Sequence, residues 1–101
     1  MPITYKILDD GRRVDIKVSG RFDFSSHQEF RETYSQVDPA KASFHIDLSS
    51  TEYLDSAALG MLLVLRERAG GDRADITLQG ANPSVQQIMD ITRFERLFTI
   101  K

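Results

Sequence analysis

The sequence predicts an α/β domain: a mixed sheet of four to five strands with helices packed on it, the elements running ββαβαβα. Three observations carry this. Apolar residues alternate with polar ones at four places, which is the two-residue period of a strand. Between the later alternating stretches lie runs at helical spacing, each preceded by a residue type that caps helices. Helices between the second, third and fourth strands then imply right-handed crossovers and parallel pairing there, with the first strand antiparallel at one side.

Taken in order, Ile3, Tyr5 and Ile7 alternate with Thr4 and Lys6, and Val14, Ile16 and Val18 alternate with Asp15, Lys17 and Ser19. Asp9-Asp10-Gly11 makes the turn between them, so residues 2–20 read as a β-hairpin that Gly20 closes. Ser26-His27-Gln28-Glu29 fits a capping box, and Phe30, Tyr34 and Val37 follow as one face of a short helix that Asp38-Pro39 ends. Phe44, Ile46 and Leu48 mark a third strand, and polar Ser49-Ser50-Thr51-Glu52 a loop after it.

Asp55 is a good N-cap for a helix from Ser56 to Ala69. That helix is apolar nearly all round, from Leu59 through Leu65, and is expected to be well buried. Arg66 and Arg68 suit its negative C-terminal end, and Gly70-Gly71 stop it. Ile76 and Leu78 mark a fourth strand; Asn82-Pro83 then caps a third helix with the apolar face Val85, Ile88 and Met89. The apolar tail from Phe94 to Ile100 fits either a final turn or a short strand.

With 101 residues, the chain is expected to form a single domain, 1–101, large enough for a real core. It has no cysteine, which excludes disulfides and thiolate metal sites and makes the reducing cytoplasm the expected compartment. A net charge of −2 supplies no bulk attraction to nucleic acid or an anionic membrane. No signal peptide is expected from the N-terminus, and the most apolar run, from Leu54 to Leu65, falls short of the ~20 residues of a membrane span.

Sites in open sheets form where parallel strands lead into helices. Here that rim collects residues 21–25, 49–55 and 80–82, placing Asp23, Asp55, Ser56 and Asn82 together. Enzyme motifs are missing: there is no G-x-G-x-x-G, Walker loop, H-E-x-x-H or G-x-S-x-G, and there are only two histidines, His45 read as a partly exposed structural residue of a strand and His27 as a surface residue in the first turn of a helix. A Ser56–His27–Asp23 triad has no support from spacing, and no cofactor or metal is expected. Ser56 opens an apolar helix, where free amides and the helix dipole favour a phosphate, although Ser and Asp are also ordinary capping residues there.

These residues resemble a known pattern. Gly20-Arg21-Phe22-Asp23 resembles the G-x-x-D of STAS domains, and Ile46-Asp47-Leu48 followed by Leu54-Asp55-Ser56-Ala57-Ala58-Leu59-Gly60 looks like their strand, loop and helix start. Leu78-Gln79-Gly80-Ala81-Asn82-Pro83 and Phe94-Glu95-Arg96-Leu97-Phe98 continue the match along nearly the whole chain. The subgroup it looks most like is the small bacterial anti-sigma factor antagonist. The resemblance implies that Ser56 is phosphorylated by a serine kinase, often the anti-sigma factor itself, and dephosphorylated by a serine phosphatase. It also implies that the unphosphorylated form binds the anti-sigma factor and so frees a sigma factor.

Carried onto this chain, Ser56 is the phosphoacceptor, Asp55 its flanking carboxylate and Asp23 a neighbour. Glu52, Ala57 and Asn82 complete the expected contact surface. Ser49, Ser50 and Thr51 are nearby hydroxyls outside the family position. A second reading is a small STAS subunit docked on the ATPase of an ABC-type lipid transporter, and a third is a phosphate-independent adaptor. Two departures stand out. Ala58 replaces a frequent Gly, so its methyl is expected to restrict a partner's approach. The helix that often follows the last strand is expected to be shortened or absent, leaving the apolar tail to complete the core or to offer a second contact surface.

Overall fold

In the computed structural model, which describes residues 2–101, the strands are β1 (Ile3–Leu8), β2 (Arg13–Phe22), β3 (Ser43–Leu54), β4 (Asp75–Gln79) and β5 (Thr99–Ile100). The helices are α1 (His27–Glu32), α2 (Ser56–Arg68) and α3 (Pro83–Ile91). The five strands lie in sequence order across one sheet. β1 pairs antiparallel with β2, and every other pairing is parallel. The tail does both things its sequence allows: Phe94–Arg96 form a 3-10 turn, and Thr99–Ile100 become the fifth strand.

Because each crossover moves one strand further in the same direction, right-handed connections put all three helices on one face of the sheet. The buried side chains agree. Val14, Phe44 and Ile76 stand in register across the sheet, as do Ile16, Ile46 and Leu78, and all are buried. Their neighbours Arg13, Asp15, Lys17, His45 and Asp47 point to the other, open face. Phe94 and Phe98 are buried and stacked at 5.0 Å, so the tail completes the core.

α1 ends at Glu32, so Val37 lies outside it and Asp38-Pro39 do not end it but open a separate 3-10 turn, Pro39–Lys41; four other sequence expectations need correction. Gly20 does not close β2: it holds φ +73° inside the strand, which continues to Phe22. Residues 49–52 are not a loop, because β3 runs on to Leu54. β3 carries an extra residue opposite Lys17–Ser19 and another opposite Gly20–Arg21. These two bulges change the burial period from two to three, so only Leu48, Thr51 and Leu54 turn inward and no alternation is visible. Thr51 is satisfied there by donating its hydroxyl to the Val18 carbonyl at 2.8 Å.

The third correction concerns the start of α1. The capping box does not form: Ser26 lies inside a 3-10 turn, Phe24–Ser26, without the extended backbone a cap needs, and its side chain makes no cap bond. Asp23, which is extended, caps the turn instead by accepting the Ser25 amide at 3.0 Å. The fourth concerns α2, which is not buried all round. Ala58, Met61, Leu62 and Leu65 face the core, while Leu63 and Val64 are exposed, Val64 by 50%. One helix resting on one sheet can bury only one stripe.

Gly80, between β4 and α3, is the position where a side chain would do most harm. It holds φ +78°, and a Cβ would stand 3.0 Å from Ser49 Cβ and 3.3 Å from Asp47 Oδ1. Gly80→Ala is therefore expected to destabilise the fold by at least ~1–2 kcal/mol, the cost of the left-handed conformation alone. Urea denaturation measures it.

Candidate functional site

Three rim segments meet at the carboxyl ends of β2, β3 and β4, and hydrogen bonds join them. Phe22 and Leu54 are paired strand ends, so Asp23 and Asp55, the next residues, leave the sheet side by side. The Asp55 amide donates to the Phe22 carbonyl at 3.4 Å. Asn82 ties in the third segment. Its Oδ1 accepts the Val85 amide at 2.8 Å and caps α3, while its Nδ2 donates to the Thr51 carbonyl at 3.1 Å.

Asp55 has an extended backbone, and its Oδ1 accepts the Ala58 amide at 3.0 Å. That is the N-cap expected from sequence. Ser56 follows as the first residue of a 13-residue helix and is exposed. Its hydroxyl thus stands at the positive end of α2, beside first-turn amides that lie outside the helical ladder. Glu52 is exposed on the last turn-out of β3, and Ala57 is partly buried. Ala58, by contrast, is fully buried against the core, so its methyl cannot obstruct a partner.

Asp23 is held by the Ser25 hydroxyl and amide and by Arg21 Nε at 3.4 Å. The Ser25 hydroxyl chiefly, with help from the Ser25 amide and Arg21 and against the opposing effect of burial, sets its carboxyl below the usual aspartate range. The sign follows: a depressed pKa contributes stability that is present above the unfolded pKa and is lost as pH falls through the folded one. An acid titration followed by NMR is expected to show the Ser25 amide moving with a midpoint below that of an unfolded-chain aspartate. Asp23→Asn is expected to abolish that titration.

The structure does not assemble the Ser56–His27–Asp23 triad. Asp23 is committed to Ser25 and Arg21, and the His27 ring stacks on Phe24 with centroids 5.5 Å apart. His45 lies on the open face of the sheet, its Nε2 3.1 Å from the Ser43 hydroxyl. Among the described residues no group of three His, Asp or Glu is arranged to hold a metal ion, and no helix is long and apolar enough to cross a membrane.

Sequence reasoning missed two exposed features at the same rim. Phe24 is 71% exposed on the Asp23 segment, an apolar residue stranded among Asp and Ser, which was the available signal. The Arg21 guanidinium lies 4.4 Å over the half-exposed Tyr53 ring, a pairing that depends on the cross-strand register of Arg21 and Tyr53.

Asn82→Ala removes both the α3 cap and the bond to β3, and is expected to cost about 1–2 kcal/mol. Asn82→Asp keeps the acceptor and is expected to recover part of that loss in the same denaturation experiment.

A family model described as "Mlab, STAS domain" matches residues 8–99. A "STAS-domain containing protein PA14_20770" of Pseudomonas aeruginosa (strain UCBPP-PA14) is 46% identical over 100 residues, covering 99% of each chain. Among solved structures, an anti-sigma factor antagonist from Mycobacterium paratuberculosis superposes with a TM-score of 0.74 at 22% identity, over 97% of this chain and 84% of that one. The Bacillus cell fate determinant SpoIIAA in its phosphorylated form gives 0.73 at 12% identity, over 98% and 90%. At such identities the structural likeness is one of fold.

Proposed function

This chain belongs to the STAS-domain family, and from that premise we propose that it is an anti-sigma factor antagonist switched by phosphorylation of Ser56. The unphosphorylated form binds an anti-sigma factor in the cytoplasm and so releases a sigma factor. A serine kinase, either the anti-sigma factor itself or a separate protein, adds the phosphate, and a serine phosphatase removes it. Asp23, Glu52, Asp55, Ala57 and Asn82 surround or support the contact. The observation that carries this reading is the exposed Ser56 hydroxyl at the start of α2, framed by the Asp55 cap. Support comes also from the shared fold of SpoIIAA, an anti-sigma factor antagonist known in phosphorylated and unphosphorylated forms.

The magnitudes suit a switch at an interface rather than in the fold. A phosphate adds about −1.5 to −2 charges. The helix terminus stabilises an anion by ~0.3–1 kcal/mol, up to ~2 when partly buried, so the folded domain tolerates it. A hundredfold loss of affinity needs only about 2.8 kcal/mol. Burying a dianion against a partner beside Asp55 and Glu52 costs that much through desolvation and like-charge repulsion.

Affinity capture from cells, with phosphopeptide analysis of the recovered domain, tests the proposal. The expected result is an anti-sigma factor bound to the wild type and to Ser56→Ala, with phosphate on the Ser56 peptide of the wild type. Recovery of a transport ATPase, equally by wild type, Ser56→Ala and Ser56→Asp, replaces this reading with that of a transporter subunit.

A further inference from the structure

An apolar trough runs between α1 and α2 and begins at Ala57, the residue after Ser56. One wall is Phe24, His27 and Arg31; the floor on α2 is Ala57, Gly60 and Val64. Its upper part encloses about 300 Å³, and it continues past His27, Arg31 and Val64 into a second hollow of about 400 Å³ that ends at Arg68. The floor residues recur at helical spacing, which explains why Val64 is left in solvent: it belongs to a stripe that faces the trough rather than the sheet. At Gly60 the floor is open, with no heavy atom within 4 Å of where a Cβ would stand.

The trough is also polarised. Asp23, which Arg21 pairs, directly precedes the lining residue Phe24, and Asp55 lies two residues before Ala57, so both carboxylates belong to the segments at its near end. Arg31 stands where the two hollows meet and Arg68 at the far end, and neither forms an ion pair among the described residues. Both act on the Tyr34 hydroxyl between them, opposing the burial that raises its pKa. From Ala57 to Arg68 the floor spans roughly 16 Å, about three helical turns.

We propose that this trough receives an amphipathic helix of the partner, of about three turns, that runs antiparallel to α2 and places carboxylates of its first turn over Arg31 and Arg68. Apolar side chains at i, i+3, i+4 and i+7 fill the floor, in the manner of helix-in-groove recognition. Charge sets the direction: acidic residues, which suit a helix N-terminus, are repelled at the Asp23 and Asp55 end and paired at the other. This rests on the partner-binding reading above and gives that partner a chemistry; a phosphate on Ser56 would stand at the mouth, one residue from Ala57.

The probe is a blocked helical peptide of about 16 residues, with two Glu in its first turn, Leu at i, i+3, i+4 and i+7, and two Lys in its last. A second peptide has the charges exchanged. Titration of the ¹⁵N-labelled full chain is expected to give saturable shifts confined to α1, α2 and Phe24. The charge-exchanged peptide is expected to bind several-fold more weakly, and Arg31→Glu with Arg68→Glu to invert that preference. Gly60→Leu, which raises helix propensity and so keeps the fold, is expected to weaken binding about tenfold or more, with the circular dichroism spectrum unchanged.

Shifts elsewhere, no saturation, or indifference to both the charge exchange and Gly60→Leu would overturn the proposal. So would the same shifts appearing with protein concentration alone, which assigns the trough to a second copy of the chain. The titration contains no phosphate, so it stands apart from the Ser56 switch. A captured partner that ignores Ser56→Asp but is lost with Gly60→Leu refutes the switch and keeps the trough.

Discussion

Ser56→Asp is expected to lower affinity for the anti-sigma partner by about a hundredfold or more, a loss of roughly 2.8 kcal/mol, while Ser56→Ala binds like the unphosphorylated wild type. Ser56 is exposed, so neither substitution disturbs packing. The α2 cap belongs to Asp55, whose bond to the Ala58 amide survives both changes. A carboxylate at the first helical position even suits the dipole, so the thermal midpoint of Ser56→Asp should stay at or slightly above that of the wild type. What changes is the charge presented to a partner: Asp55 directly precedes Ser56 and caps its helix, and Asp23 and Glu52 stand on the same rim of the sheet. Calorimetric titration of the purified partner with both variants, alongside thermal melts, separates the interface effect from a fold effect.

Phe22→Ala is expected to destabilise the domain by about 3–5 kcal/mol, the range for emptying a buried aromatic site. Phe22 is fully buried at the end of β2, and its ring packs 5.4 Å from that of Phe30 on α1. Against a typical domain stability of about 5–15 kcal/mol the loss is a large fraction. The position matters as much as the magnitude. Phe22 pairs with Leu54, its carbonyl receives the Asp55 amide, and Asp23 follows it. The cavity therefore lies directly beneath the rim. A larger acceleration of amide exchange over the wild type at Asp55 than in β1 is the expected signature, together with the lowered urea midpoint.

How far the sequence could be read depended on whether each signal was local. The alternation in β1 and β2, the Asp55 and Asn82 caps and the proline at the start of α3 are each set within a few residues, and each stands in the structure as expected. The second half of β3 was illegible because its period follows from bulges against β2, a pairing more than 30 residues away in the chain. The start of α1 misled for the opposite reason. Ser26 and Glu29 have capping-box identities, but Asp23 competes for the turn and takes the extended conformation first.

The placement of the candidate residues divides along the same line. Ser56 and Asp55 were legible because one helix start holds both. Asp23 and Asn82 followed from topology, since the strand order brings their loops together. Phe24, Tyr53 and the trough beside α2 were not legible, because exposure depends on what packs against a residue. The nearly continuous apolar run of α2 gave no hint of which stripe the sheet would leave uncovered.

The central claim is that one phosphate on one serine controls one interface. The most direct measurement takes a single preparation of the domain phosphorylated on Ser56, splits it, treats half with a serine phosphatase, and titrates both halves into the captured anti-sigma factor. The account predicts at least about hundredfold tighter binding by the dephosphorylated half, with the phosphorylated half melting no lower than the other, since the helix terminus stabilises the anion by ~0.3–1 kcal/mol and ~1 kcal/mol raises a midpoint by several degrees. Equal affinities for the two halves would contradict it.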